Sequence, residues 1–216
     1  MSGPPDPLGG SWTVVIPVKR LDAAKTRLAR PDRGDVALAM ALDTVRAARG
    51  AEPAGVIVVT DDERLGALVG AWARIVPDQA RGGLNAALLH GARIARQAAP
   101  SCGVAALAGD LPALRPTELR AALDAARAHE RAVVGDAAGT GTVLLTALPP
   151  SELAPAWGEH SRAAHIRSGA ADLTTGLGDA VPGLRRDVDT LADLDDASRL
   201  GLGPATELLL ANTRAG

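Results

Sequence analysis

Two short acidic segments, far apart in the chain, carry the side chains best suited to binding a metal ion. The first, G-D-L-P at 109–112, follows the apolar run 104–108. That run is too short for a helix and indicates a buried strand, so Asp110 lies just past its carboxyl end. Ligands of open α/β sheets bind at this end, and a carboxylate there suits Mg2+. By itself the segment fits equally well a carboxylate that caps a helix beginning near Pro116.

The second acidic segment, R-D-V-D-T at 186–190, holds two carboxylates at alternate positions. In an extended strand, predicted here for 184–188, Asp187 and Asp189 point to the same side. Two carboxylates held side by side repel each other unless a cation lies between them. If Asp110 comes near, three carboxylates can hold one or two Mg2+ ions. The alternative is that Asp189 helps to cap the following helix and Asp187 pairs with one of the two arginines before it.

A basic loop follows the first predicted strand and contains A-K-T-R-L at 24–28. Lys25 offers a compact charge and Arg27 a two-pronged donor, and both suit a triphosphate. The chain has no G-x-x-x-x-G-K-[ST] and no G-x-G-x-x-G after this strand, which excludes a P-loop and makes a dinucleotide site improbable. The alternative is an exposed, solvated basic loop.

Small and hydroxyl-bearing residues form a fourth group, G-T-G-T at 139–142 and W-G-E-H-S at 157–161. Hydroxyl groups and glycine amides near the start of a helix can bind an anion. The simpler interpretation is a tight turn followed by an N-cap at Ser161.

The elements that would position these groups alternate between strand and helix through the first 135 residues, which predicts one α/β domain with a mainly parallel sheet and helices on both faces. Strands are predicted at 12–17, 56–60, 74–76, 104–108, 132–135, 143–145 and 184–188. Helices are predicted at 35–49, 61–71, 84–99, 116–129, 161–168 and 190–200, with a last short helix ending near 212. One of the two late strands is expected to be antiparallel or to lie at an edge. The domain is expected to span 12–212, after a disordered lead-in over 1–11.

Composition excludes several classes of partner. The net charge of −2 argues against nucleic acid, whose binding needs a basic surface. No apolar run is long enough to span a membrane, and the N-terminus lacks the features of a signal peptide. The single Cys102 excludes an internal disulfide and a cysteine-based zinc site. Together these features favour a cytoplasmic protein.

In the order of its motifs, the sequence resembles the guanylyltransferases of coenzyme F420 biosynthesis. The shared motifs are I-P-V-K-R-L at 16–21, A-K-T-R-L at 24–28, L-N-A-A at 84–87, G-D-L-P at 109–112, G-T-G-T at 139–142 and R-D-V-D-T at 186–190. S-x-x-x-H at 161–165, R-S-G-A at 167–170 and G-x-G-P-A-T at 201–206 resemble the actinobacterial phosphoenolpyruvate guanylyltransferases in particular. The resemblance covers nearly the whole chain from 12 to 206.

The resemblance implies a single-domain nucleotidyltransferase fold of the glycosyltransferase-A type that transfers GMP from GTP to phosphoenolpyruvate. It implies that Mg2+ is bound by Asp110, Asp187 and Asp189. It implies that phosphoenolpyruvate is contacted by Thr142, Gly158 and Ser161. The nucleotide is expected to be bound by Pro17, Lys19, Lys25 and Asn85, and catalysis to depend on Asp110, Lys25 and Arg27.

Other functions remain open at this stage. The acceptor can instead be 2-phospho-L-lactate or 3-phosphoglycerate, because all three anions carry a carboxylate beside a phosphate ester. A sugar-phosphate or molybdopterin nucleotidyltransferase would need a G-G-x-S-x-R-M-type loop, which the chain lacks. A non-catalytic nucleotide-binding domain is a further alternative. The Ala-rich stretch 119–128 can serve a homodimer as well as a core.

Overall fold

The computed structural model describes residues 11–19, 28, 31–78 and 82–214. The expected triphosphate contacts Lys25 and Arg27 lie outside the described residues, as do ten of the eleven residues of the expected lead-in.

Seven strands form one mixed sheet, as the alternation of strands and helices predicts. The strands are β1 (Trp12–Pro17), β2 (Gly55–Val59), β3 (Arg74–Val76), β4 (Gly103–Leu107), β5 (Arg131–Gly135), β6 (Thr142–Ala147) and β7 (Ala171–Asp172). Their order is β3-β2-β1-β4-β6-β5-β7. Strand β6 runs antiparallel to both of its neighbours, and the other pairs are parallel. One late strand is therefore antiparallel, as expected.

Helices cover both faces of the sheet. They are α1 (Arg33–Gly50), α2 (Glu63–Val69), α3 (Gly83–Ala98), α4 (Pro116–Ala126), α5 (Ser161–Arg167), α6 (Thr174–Leu177), α7 (Leu191–Leu200) and α8 (Pro204–Arg214). None of the helices in the described parts of the chain is long and apolar enough to cross a membrane.

The alternation of side chains along β1 separates two hydrophobic cores. Val14 and Ile16 pack in the core that contains α1 and α4. Val15 points the other way, into the core that contains α3. A Cβ atom on Gly91 of α3 would clash with Val15, so this glycine sets how closely α3 approaches the sheet. The two cores therefore hold the sheet between helices on both of its faces.

The last two helices pack on α1 in a third hydrophobic cluster, which also contains Val188. A buried carboxylate of α1 tethers α8. Asp43 is 5% exposed, and it accepts hydrogen bonds from the backbone N–H groups of Ala205 at 3.0 Å and Thr206 at 2.8 Å. These are amides of the first turn of α8, which have no partner within their own helix.

The predicted strand 184–188 is wrong. The chain makes turns over 182–185 and continues without regular structure to 188. The N–H groups of Gly183 and Leu184 donate to the Glu118 carboxylate rather than to a neighbouring strand, at 3.1 and 2.8 Å. The seventh strand is instead β7, and helix α4 ends before His129, which the prediction had placed inside it.

Candidate active site

A cavity of about 880 Å³ opens at the edge of the sheet where β1, β4 and β5 end. The lining comes from the loops after these strands, from α1 and α3, and from the two predicted site segments near 158 and 187. The lining residues are Pro17, Val18, Lys19, Ala37, Met40, Ala41, Leu84, Ala108, Gly109, Asp110, Asp136, Thr140, Gly141, Thr142, Trp157, Gly158, Glu159, His160, Ser161, Asp187 and Asp189. This is the edge where open α/β sheets bind ligands.

The turn that carries Asp110 is fixed on both sides. A Cβ atom on Gly109 would lie 3.0 Å from the carbonyl oxygen of Pro17, so the turn fits tightly against the end of β1. The N–H of Leu111 donates to the Thr44 hydroxyl at 3.0 Å, and that hydroxyl donates to the carbonyl of Met40 at 2.8 Å. Helix α1 thus holds the backbone next to the Asp110 carboxylate.

The segment that carries Asp187 and Asp189 is brought to the same turn. Val188 is fully buried, and its N–H donates to the carbonyl oxygen of Asp110 at 3.2 Å. The Glu118 carboxylate, buried on α4, anchors the preceding turn through two backbone amides. The structure therefore joins the two acidic segments that lie far apart in the sequence.

The carboxylates lie close enough for their charges to interact. The pKa of Asp187 is raised from 3.8 to about 7, first by burial and then by the negative charges of Asp110, Asp136 and Asp189. A carboxyl group in this position is costly to ionise without a nearby positive charge.

The alternative role for Asp110, as a helix cap, is excluded. Helix α4 has Arg115 at its N-cap, and the Glu118 side chain accepts from the Arg115 N–H at 3.4 Å. Helix α7 likewise has Thr190 at its N-cap rather than Asp189, and the Thr190 hydroxyl accepts from the N–H of Asp193 at 3.2 Å, as the spacing of these two residues predicts.

The alternative role for Asp187, as an ion-pair partner of the preceding arginines, is also excluded. Arg186 pairs with Asp196 at 3.2 Å. Arg185 donates to the carbonyl oxygens of Gly135 at 3.2 Å and Asp136 at 2.9 Å. Both guanidinium groups are therefore directed to other acceptors.

Sequence reasoning missed Asp136, a fourth carboxylate in the cavity wall. It follows β5 directly, so the rule that selects Asp110 after β4 applies to it equally. Its carboxylate also closes the turn before β6, because it accepts from the N–H groups of Thr140 and Gly141, both at 2.9 Å. The sequence D-A-A-G-T-G is typical of a turn, and that hid its position at the site.

The cavity also contains the three residues expected to contact the acceptor. Thr142, Gly158 and Ser161 all line the cavity. Arg162 draws their two segments together, since its N–H donates to the carbonyl of Thr140 at 3.1 Å and its guanidinium to that of Gly139 at 3.0 Å. The structure thus brings the 139–142 turn and the start of α5 together, as the fourth sequence group predicts.

Within the described parts of the chain, the Thr142 hydroxyl has one hydrogen-bond partner, the Nδ1 atom of His165 at 2.9 Å. The His165 ring is fully buried and lies edge-on to Trp157, with 5.0 Å between ring centres. Burial, and secondarily the charge of Arg131, lower the pKa of His165 to about 4. This histidine is therefore neutral at physiological pH.

The expected nucleotide contacts divide into three groups. Pro17 and Lys19 line the cavity beside Asp110. Asn85 instead binds the main chain of Trp157, accepting from its N–H at 2.7 Å and donating to its carbonyl at 3.0 Å. Lys25 and Arg27 fall outside the described residues, so their expected roles remain predictions.

Comparison with known proteins identifies the family. A family model for the MobA-like NTP transferase domain matches residues 20–176. A protein from Streptomyces coelicolor named phosphoenolpyruvate guanylyltransferase is 52% identical over 93% of this chain and 96% of its own length. A protein of the same name from Salinispora arenicola is 53% identical over 92% of this chain and 92% of its own length. Another from Frankia casuarinae is 53% identical over 94% of this chain and 77% of its own length.

Solved structures agree on the fold. A protein from Desulfovibrio desulfuricans named for the nucleotide-diphospho-sugar transferases aligns with a TM-score of 0.68 at 16% identity, covering 96% of each chain. A manganese complex of Rv0371c from Mycobacterium tuberculosis aligns with a TM-score of 0.56 at 23% identity, covering 87% of this chain and 97% of that one. The chain is a nucleotidyltransferase with a single α/β domain, and it belongs to the MobA-like NTP transferase family, within the group of the phosphoenolpyruvate guanylyltransferases.

Proposed function

We propose that this protein transfers GMP from GTP to phosphoenolpyruvate, giving enolpyruvoyl-diphospho-guanosine and pyrophosphate in coenzyme F420 biosynthesis. The observation that carries the proposal is the cavity itself, which is lined by Asp110, Asp187 and Asp189 together with Thr142 and Ser161. The relatives that are about half identical over most of the chain carry the name of this activity.

The carboxylates that line the cavity fit a divalent metal ion, and we propose Mg2+ held by Asp110, Asp187 and Asp189. The elevated pKa of Asp187 reflects the negative charge that these carboxylates concentrate at a buried point. Among the described residues, no three acidic, histidine or cysteine side chains stand close enough to enclose an ion by themselves. Mg2+ binds one or two carboxylates directly and completes its shell with water and substrate phosphates, so one of the three carboxylates would act through a bound water molecule.

The chemistry needs positioning more than a protein base. One oxygen of the phosphoenolpyruvate phosphate forms a bond to the α-phosphorus of GTP, the bond from that phosphorus to the bridging oxygen of the β-phosphate breaks, and pyrophosphate leaves. The second pKa of a phosphate monoester is about 6, so the attacking group is already anionic at neutral pH. A bound divalent ion supplies charge neutralisation between the two anions.

The chain's own residues hold the reactants in line. We propose that Thr142, Gly158 and Ser161, which line the cavity, bind the acceptor, and that Lys19, which also lines it, binds the nucleotide. We propose that Lys25 and Arg27 offset the charge that grows on the leaving pyrophosphate. Holding two reactants in such a geometry lowers the barrier because the entropy of bringing them together is lost on binding.

The test is a coupled assay of pyrophosphate release from purified protein with GTP, Mg2+ and each of three acceptors: phosphoenolpyruvate, 2-phospho-L-lactate and 3-phosphoglycerate. We expect phosphoenolpyruvate to give the highest kcat/KM and a product whose mass is that of enolpyruvoyl-diphospho-guanosine. If another acceptor gave the highest activity, the proposed acceptor would be wrong. Tight GTP binding without pyrophosphate release in the presence of any of the three acceptors would refute the proposed function.

The variant Asp110→Asn separates catalysis from binding of the nucleotide. It is expected to reduce turnover at least about 100-fold while leaving the folded state intact. The matched control is Asp195→Asn, which removes an exposed carboxylate of α7 that does not line the cavity. Wild-type turnover by the Asp110 variant would contradict the proposed role.

A further inference from the structure

The buried His165 ring has its two nitrogens in different hydrogen bonds. The Nε2 atom lies 2.8 Å from the backbone nitrogen of Ala156, and Nδ1 lies 2.9 Å from the Thr142 hydroxyl oxygen. A backbone N–H only donates, so Nε2 must accept. A neutral imidazole carries one proton, which therefore sits on Nδ1.

The proton on Nδ1 decides which way the Thr142 hydroxyl points. The Nδ1–H group donates to the hydroxyl oxygen and occupies one of its lone pairs. The hydroxyl forms no other hydrogen bond with the described residues, and Thr142 lines the cavity. Its own hydrogen is therefore available to a ligand in the cavity rather than being used in a hydrogen bond to the histidine.

We propose that His165 is a positioning residue that sets the Thr142 hydroxyl as a hydrogen-bond donor toward an anionic group of the acceptor. Phosphate and carboxylate oxygens offer only lone pairs at neutral pH, so they select a donor. With the opposite tautomer, the hydroxyl hydrogen would be directed at Nδ1, and a lone pair would face the anion. The proposal rests on the proposed function, because it assigns Thr142 to the acceptor rather than to the nucleotide.

The same ring also orders the segment that lines the cavity beyond Thr142. Its bond to Ala156 and its edge-on contact with Trp157 fix the backbone immediately before Gly158. Asn85 holds the Trp157 backbone from the other side. A truncation of His165 therefore disturbs two contacts, and the test must separate them.

Two amide variants separate the contacts. In His165→Asn the amide nitrogen is as many bonds from Cα as Nδ1, so the donor to Thr142 is kept and the acceptor for Ala156 is lost. In His165→Gln the amide oxygen is as many bonds from Cα as Nε2, so the acceptor is kept and the donor is lost. His129→Gln, outside the cavity lining, is the matched control.

The kinetic readout is the KM for the acceptor against the KM for GTP. A hydrogen bond to a charged group corresponds to about a 10- to 100-fold change in binding, so Thr142→Val should raise the acceptor KM by that factor. His165→Gln should raise it at least about tenfold, and His165→Asn should stay within about threefold of wild type. The GTP KM should be unchanged in all three, and Thr142→Ser should restore the acceptor KM.

The double variant Thr142→Val with His165→Gln should raise the acceptor KM no further than Thr142→Val alone, since His165→Gln keeps the acceptor for Ala156 and removes only the donor to the hydroxyl. Multiplying effects would overturn the proposal, as would equal losses in the Asn and Gln variants. If the wild type released no pyrophosphate, the proposed function would be refuted instead. Failure of the proposal about His165 and failure of the proposed function are thus distinguishable.

A spectroscopic measurement on the free wild-type protein needs no activity and no variant. Proton–nitrogen NMR correlation of the histidine rings should show one neutral ring protonated on Nδ1 that does not titrate between about pH 6 and pH 8. A neutral ring protonated on Nε2, or a cationic ring, at His165 would overturn the proposal.

Discussion

Asp187 should make the metal-free protein less stable as the pH rises, and replacing it should remove that penalty. The group has a pKa of about 7 in the folded protein against an ordinary value of 3.8. The folded state therefore prefers the protonated form. The stability that this preference contributes is fully present below about pH 4 and is lost as the pH rises through 7.

The magnitude follows from the size of the pKa change. A rise of about 3 in pKa, at about 1.4 kcal/mol each, gives about 4 kcal/mol as an upper limit. Asp187 keeps some contact with solvent, which screens the repulsion, so about 2 to 4 kcal/mol is expected. Asp187→Asn is neutral at every pH, and its free energy of unfolding should exceed that of wild type by this amount at about pH 8.

The assay is urea unfolding in chelator-treated buffer at several values between about pH 4 and pH 9. The difference between variant and wild type should be near zero at the acid end, grow through the neutral range and level off above about pH 8. Adding Mg2+ or Mn2+ should stabilise the wild type and leave the variant nearly unaffected. Asp195→Asn is the control. A variant less stable than wild type at pH 8, or a difference that does not change with pH, would refute the reasoning.

Three further predictions concern the elements around the cavity. The pKa of His165 is lowered from 6.5 to about 4, so its contribution to stability is present above pH 6.5 and declines as the pH falls. In urea unfolding between pH 8 and pH 5, the free energy of unfolding of wild type should therefore fall by about 2 kcal/mol more than that of His165→Gln. Glu118→Gln removes the charge that anchors the turn before Asp187, which should cost about 1 to 3 kcal/mol in free energy of unfolding and weaken Mn2+ binding in calorimetric titration. Gly109→Ala places a Cβ atom 3.0 Å from the Pro17 carbonyl oxygen, so the turn that carries Asp110 must shift. The kcat should fall at least about tenfold, and an unchanged kcat would show that the position of this turn is not critical.

The location of the site was predictable because it depends on sheet topology. Apolar runs separated by helices predict a parallel sheet, and a polar residue just past such a run then lies at its carboxyl edge. Asp110 follows β4 in this way. Local capping signals were only partly reliable: Thr190 and Asp193 cap α7 as their spacing predicts, whereas the N-cap of α5 is His160 and the predicted cap, Ser161, is the first residue of that helix.

The parts that were not predictable depend on contacts between residues far apart in the sequence. The segment before Asp187 has the composition of a strand, but its amides bond to the side chain of Glu118 rather than to a neighbouring strand. Val188 is nevertheless fully buried, because burial needs only an apolar side chain aimed inward. Asn85 binds the backbone of a residue 72 positions away, and no local pattern indicates such a contact.

The tether between α1 and α8 has a consequence for synthesis of the protein. Asp43 leaves the ribosome early, but its partners Ala205 and Thr206 are added 162 and 163 residues later. A nascent chain that stops before them exposes an acidic group where the third hydrophobic cluster should close. Completion of this corner must therefore wait until Ala205 and Thr206 have left the ribosome, and premature termination before them should yield a chain that cellular proteases degrade rapidly.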